Sequence, residues 1–122
     1  MIIKESAENY LEAILMIKNK KGYVRSIDVA NELGVSKPSV SVAMKNFREA
    51  GYIVIEPDGN ITLTQKGSEI AEKVFKRHEM IAKILIKLGV DEETAYEDSC
   101  KIEHGLSEQS FNKIKEYFEG KI

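Results

Sequence analysis

The chain has one cysteine, two prolines and no uncharged apolar run long enough to span a bilayer. A lone thiol cannot close an internal disulfide, which fits a reducing compartment and leaves Cys100 available for packing or for ligation. No window approaches the ~18 apolar residues of a membrane helix, and the amino terminus lacks the apolar stretch of a secretory signal. The chain is therefore expected to be cytoplasmic and to have no membrane partner. Internal repeats, low-complexity tracts and flexible linkers are also missing, so neither a repeat array nor a string of tethered modules is expected. A length of 122 residues with 43% hydrophobic content leaves room for one ordinary domain, or two closely fused small ones, and not for a second large domain.

Net charge is also small, at −2, but it is unevenly spread. Residues 1–87 hold 14 lysines and arginines against 11 acidic groups, whereas 88–122 hold 4 against 9. The first stretch suits phosphates and the second suits cations.

Local signals divide the chain into helices and one hairpin. Ser6 is placed to cap a helix running to about Asn19, with Tyr10, Leu11, Ile14, Leu15 and Ile17 as its apolar stripe and Gly22 as its stop. Ser26 is expected to cap a short helix through Leu33, Gly34 supplies a tight turn, and Ser36 caps a third helix with Pro38 in its first turn. Tyr52–Ile55 and Asn60–Leu63 are β-prone runs around Pro57, Asp58 and Gly59, which predicts a hairpin. From Thr64 a long helical pattern carries Ile70, Val74, Ile81, Ile84, Leu85 and Leu88 to a stop at Gly89. A helix from Asp91 to about His104 follows, then a last one capped by Ser107 and bearing Phe111, Ile114 and Phe118. The expected fold is mainly α: a winged helix-turn-helix over 1–63, then a helical domain over 64–122, with the division inside the long helix.

Spacing within 26–63 carries the first functional reading. Ala30 is small where two helices would cross, Gly34 allows the turn, and Val40 faces inward from the next helix. Outward on that helix, Lys37, Ser39, Ser41 and Lys45 can meet base edges and phosphates in a major groove, and Arg25 and Arg48 can add phosphate contacts. Ser36 and Pro38, which open the helix, complete the expected DNA-facing set. An ordinary helical hairpin would also leave such groups in water, but it has no need of both the glycine turn and the wing.

The second reading comes from Cys100, Glu103 and His104, at relative positions zero, three and four, which put a thiol, a carboxylate and an imidazole on one helical face. Each residue alone has a plainer explanation, and so does His78 beside Glu79, as a partly buried histidine. Asn9 with Glu12, and Glu8 with Glu12, also share a face of the first helix, as surface polar pairs often do. Together, a cysteine, two glutamates, a histidine and an asparagine carbonyl can ligate a first-row divalent ion, though spacing within each helix does not establish that they converge. Using Cys100 as a nucleophile with His104 as base would lack an oxyanion hole or a substrate pocket, so no catalytic residue is assigned.

The order of elements, the segment Ala30–Val40, the run Lys76-Arg77-His78-Glu79, the turn Leu88-Gly89-Val90-Asp91 and the Cys100-Lys101-Ile102-Glu103-His104 cluster resemble the diphtheria toxin repressor family of metal-activated bacterial transcription regulators. The likeness covers nearly the whole chain, in the short form of the manganese transport regulators that lack an SH3-like domain. It implies a homodimer binding double-stranded palindromic operator DNA when metal is bound, a repressor of iron or manganese homeostasis, and no organic cofactor. Position by position it implies Asn9, Glu12, His78, Cys100, Glu103 and His104 as the metal shell. The manganese branch has Asp where Asn9 stands and Glu where Cys100 stands, whereas the iron branch has Met and Cys. Two ancillary-site ligands of the iron branch, a Glu and a His, fall at Ala82 and Tyr96, which argues against a second site of that form. A thiolate favours Fe²⁺, with Mn²⁺ next, and Zn²⁺ or Co²⁺ would bind such donors in vitro. The rival expectation is a winged-helix transcription factor that does not sense metal.

Overall fold

The computed structural model describes residues 5–121, with side chains from Ala7 onward. Among them are six helices and two short strands in the order α1 (Glu5–Lys21), α2 (Ser26–Leu33), α3 (Lys37–Glu49), β1 (Ile53–Ile55), β2 (Ile61–Leu63), α4 (Gln65–Lys87), α5 (Glu92–Gly105) and α6 (Glu108–Phe118). The chain divides into two compact units, 1–72 and 73–122. No described helix is long and apolar enough to cross a membrane.

In the first unit, α1 buries Leu11, Ile14 and Ile17, α2 buries Val29 and Ala30, and α3 buries Val40, Met44 and Phe47, all in one cluster with Tyr52, Ile53 and Ile61. The spacing of each set is helical, so one face of every helix faces this core. α1 continues two residues past Asn19, ending in a turn with Lys18, Lys20 and Lys21, whose charges suit the carbonyl end of a helix. Ser6 is already helical, and its side chain lies outside the described residues.

The expected cap of α2 needs correction. Ser26 is the first helical residue, and Arg25, extended at φ −123° and ψ 160°, takes the cap position. The Arg25 backbone N–H donates to Asp28 Oδ2 at 3.0 Å, so the acidic side chain at the third helical position satisfies the cap residue's own N–H, the reciprocal half of a capping box. Gly34, at φ 65°, makes the left-handed turn into α3. Ser36 caps α3 as expected, its Oγ accepting from Ser39 N at 3.3 Å.

The wing is an antiparallel pair with Ile53 opposite Leu63, Val54 opposite Thr62 and Ile55 opposite Ile61, one residue shorter on each strand than the sequence suggests. It is joined to the α1–α2 connection: Ile61 N donates to Val24 O at 2.8 Å, and Val24 N to Asn60 Oδ1 at 3.0 Å. Thr64 Oγ1 accepts from Gly67 N at 3.2 Å and starts α4. Gly67 is there because of a close approach, since a Cβ would overlap the Tyr52 carbonyl oxygen.

In the second unit, Val74, Ile81, Ala82, Ile84, Ala95 and Phe111 are buried, again at helical spacing along α4. Leu88 departs from the expected stripe: it lies past the end of α4 and is 69% exposed. Asp91 and Ser107 cap α5 and α6, accepting from Thr94 N and Ser110 N, each at 3.1 Å. Lys73 Nζ pairs with Glu108 Oε1 at 2.8 Å and ties α4 to the start of α6.

Candidate nucleic-acid interface and metal centre

Every residue expected to face DNA is exposed in the first unit. Burying Val40, Met44 and Phe47 turns the opposite side of α3 outward, where Lys37, Ser41, Lys45 and Arg48 recur every three or four positions as one stripe. Ser39 is spent partly on the cap, its hydroxyl 2.8 Å from Ser36 Oγ. Pro38 sits in the first turn, where a missing N–H leaves no bond unmade. Arg25 stands apart from the stripe, its guanidinium 5.9 Å from the centroid of the Tyr23 ring. Sequence reasoning passed over Tyr23 and Val42, which are 50% and 61% exposed near these cations. Alternating apolar and polar positions gave no sign that either would be left in solvent.

The candidate ligands of the second unit lie on α4 and α5. Glu103 is 3% exposed, and His104 Nε2 stands 3.4 Å from its Oε1. A ring nitrogen of His78 and a Glu103 carboxylate oxygen lie within 4.8 Å of each other. Cys100, half-buried, is one turn earlier on α5. His78 is oriented from behind, its Nε2 3.0 Å from Tyr96 O, and the same carbonyl accepts from the buried Ser99 hydroxyl at 2.9 Å. In the first unit, Glu12 is 4% exposed on α1 and Asn9 is half-buried one turn before it.

These surroundings fit a cation. A buried carboxylate is costly without positive charge, and an imidazole nitrogen facing it either carries a proton or, with the carboxylate, presents lone pairs to a metal. The ring nitrogen of His78 and the carboxylate oxygen of Glu103 are a donor pair that suits Fe²⁺, Mn²⁺, Co²⁺ or Zn²⁺ rather than Ca²⁺. The Tyr96 carbonyl beside His78 Nε2 is the kind of partner that metal-binding histidines usually engage through the nitrogen away from the ion.

Comparison with known proteins agrees with both halves. Residues 3–61 match the family described as iron dependent repressor, N-terminal DNA binding domain, and residues 64–120 match iron dependent repressor, metal binding and dimerisation domain. An uncharacterised HTH-type transcriptional regulator of Methanocaldococcus jannaschii is 37% identical over 119 residues, 96% of this chain and 95% of that protein. The HTH-type transcriptional regulator MntR of Bacillus subtilis is 38% identical over 117 residues, 93% of this chain and 82% of that protein. Among solved structures, IdeR of T. acidophilum superposes with a TM-score of 0.81 at 27% identity, covering 97% of this chain and 55% of that one.

Proposed function

Since the chain belongs to the iron-dependent repressor family, and so is a metal-dependent DNA-binding transcriptional regulator, we propose that it is a repressor of iron or manganese homeostasis. It acts as a homodimer on palindromic operator DNA when a divalent ion is bound. The observation that carries the metal half is the buried group on α4 and α5, where the Glu103 carboxylate meets His104 at 3.4 Å.

The proposed ligands are those that the family resemblance implies: Asn9, Glu12, His78, Cys100, Glu103 and His104. When bound, a divalent ion supplies positive charge beside the buried Glu103 carboxylate. His78 presents Nδ1, because Nε2 is engaged with Tyr96 O. Cys100 contributes the soft donor that places Fe²⁺ first and Mn²⁺ next. On the DNA side, Lys37, Lys45, Arg48 and Arg25 neutralise phosphates, while Ser36, Pro38, Ser39 and Ser41 pack near the base edges. In the dimer, two copies of α3 enter successive major grooves about 34–36 Å apart. Each ~1.4 kcal/mol by which metal prefers that arrangement shifts its population tenfold, and DNA raises metal affinity in return.

Selection of bound duplexes from a random double-stranded pool tests this, run with Mn²⁺ and again with chelator. A palindrome enriched in metal alone is the expected result. Equal enrichment in both would favour a regulator that does not sense metal, and no enrichment in either would remove the operator reading.

A further inference from the structure

α5 ends without a left-handed cap, since Leu106 is extended at φ −89° and ψ 135°. The last carbonyls of a helix have no partner within it, and a glycine turn is the common remedy. Here a side chain from another helix supplies it. Arg77 Nη2, on α4, donates to the carbonyl oxygens of Glu103 and Leu106, each at 3.1 Å. Its guanidinium carbon lies 4.8 Å from the centroid of the Phe111 ring on α6, and its Nε is buried. One planar cation therefore holds the end of α5 and the following turn, and stacks on α6.

The residues it holds are those proposed to ligate. Glu103 gives its carbonyl to Arg77 while its carboxylate faces His104, and His78 follows Arg77 directly on α4. His78 makes its own tie to Tyr96 O, seven residues before Glu103 on α5. Two adjacent residues of α4 thus fasten α5 on either side of Cys100.

We infer that Arg77 is a positioning residue of the metal centre: by fixing the Glu103 and Leu106 carbonyls it sets how Glu103 and His104 approach His78, without giving a ligand atom. The inference rests on the metal-centre reading above. Ligands work only when held to about 0.5 Å, and losing such a supporting contact weakens metal binding about 10–100-fold.

The test uses the full chain, Arg77→Met and Arg77→Lys. Mn²⁺ affinity is read from the paramagnetic resonance of the free ion, coordination from the visible spectrum of Co²⁺, and fold from apo-protein melting. Arg77→Met should bind Mn²⁺ at least about tenfold more weakly and shift the Co²⁺ spectrum, with Arg77→Lys, which keeps the charge but not the fork, in between. If Arg77→Met does not fold, Arg77→Lys decides alone. Unchanged Mn²⁺ affinity and Co²⁺ spectrum in the folded variants, with only the melting temperature lowered, would overturn the inference and leave the metal centre standing. A wild-type chain that binds no Mn²⁺ would instead overturn both.

Discussion

His78 Nε2 lies 3.0 Å from the Tyr96 carbonyl oxygen, and because a carbonyl only accepts, that nitrogen carries the proton. The neutral ring then keeps its lone pair on Nδ1. Nitrogen-15 correlation spectra of the apo protein at neutral pH should therefore show the Nε2–H tautomer, and adding diamagnetic Zn²⁺ should move Nδ1 while leaving Nε2 protonated. A ring protonated on Nδ1 alone would contradict the arrangement. His78→Ala should weaken metal binding by more than Arg77→Met does, because it removes a proposed ligand rather than a supporting contact.

On α3, Lys37 and Lys45 belong to the exposed stripe, opposite the buried Val40 and Met44. Lys37→Ala and Lys45→Ala should each weaken DNA binding and reduce the slope of log affinity against log salt by about one, leaving metal affinity and dimerisation unchanged. Unaltered DNA affinity in both variants would mean that another surface enters the groove.

Gly67→Ala sets two effects against each other. Alanine is favoured over glycine in a helix by about 1 kcal/mol. The new Cβ, however, would overlap the Tyr52 carbonyl oxygen, which is backbone and cannot swing aside. Overpacking of that kind destabilises by about 1–3 kcal/mol, so the melting temperature should fall by several degrees. A variant that melts at or above the wild-type temperature would show that the Tyr52 segment yields easily.

Gly67 illustrates which features the chain declares locally and which it does not. Gly34, Ser36, Asp91 and Ser107 each act on neighbours within a few residues, so the turn and three caps are legible from the chain alone. Ser26 misleads because a serine before an apolar run resembles a cap, whereas Asp28 holds the Arg25 N–H. Arg77 reads as one more cation in a basic run, and its carbonyl partners stand 26 and 29 residues away. Ser99 resembles a surface polar residue yet is fully buried, donating to Tyr96 O. At the candidate centre, periodicity gives the shared face of Cys100, Glu103 and His104. The approach of His78 to Glu103 depends on how α4 and α5 pack, which spacing along either helix does not contain.

Asp28 offers a pH test within the first unit. The Lys21 ammonium, 2.8 Å away, and then the Arg25 N–H hold its carboxyl below the usual carboxylate range. A depressed carboxyl contributes stability that is present above its unfolded pKa of about 3.9 and is lost as pH falls through the lower folded value. Asp28→Asn should therefore reduce stability at neutral pH and flatten the acid limb of the stability curve below about pH 4. The effect should be small, because the Lys21 side chain is half exposed and the pair is screened by salt. Parallel acid limbs in wild type and variant would show that Asp28 does not contribute to them.

Cys100 bears on metal choice, because it is the one soft donor among the proposed ligands. A thiolate must lose its proton to ligate, so metal affinity should rise with pH as long as the sulfur is present. Replacing sulfur by carboxylate favours harder ions, and Cys100→Glu should move selectivity toward Mn²⁺. Cys100→Ala removes one ligand and should lower affinity for Fe²⁺, Co²⁺ and Zn²⁺ while the fold and the dimer persist. Co²⁺ gives the direct readout, since thiolate ligation produces an intense near-ultraviolet charge-transfer band that oxygen and nitrogen ligands do not. If the wild type lacks that band, or Cys100→Ala keeps it, Cys100 is a packing residue, and the metal assignment rests on the other proposed ligands.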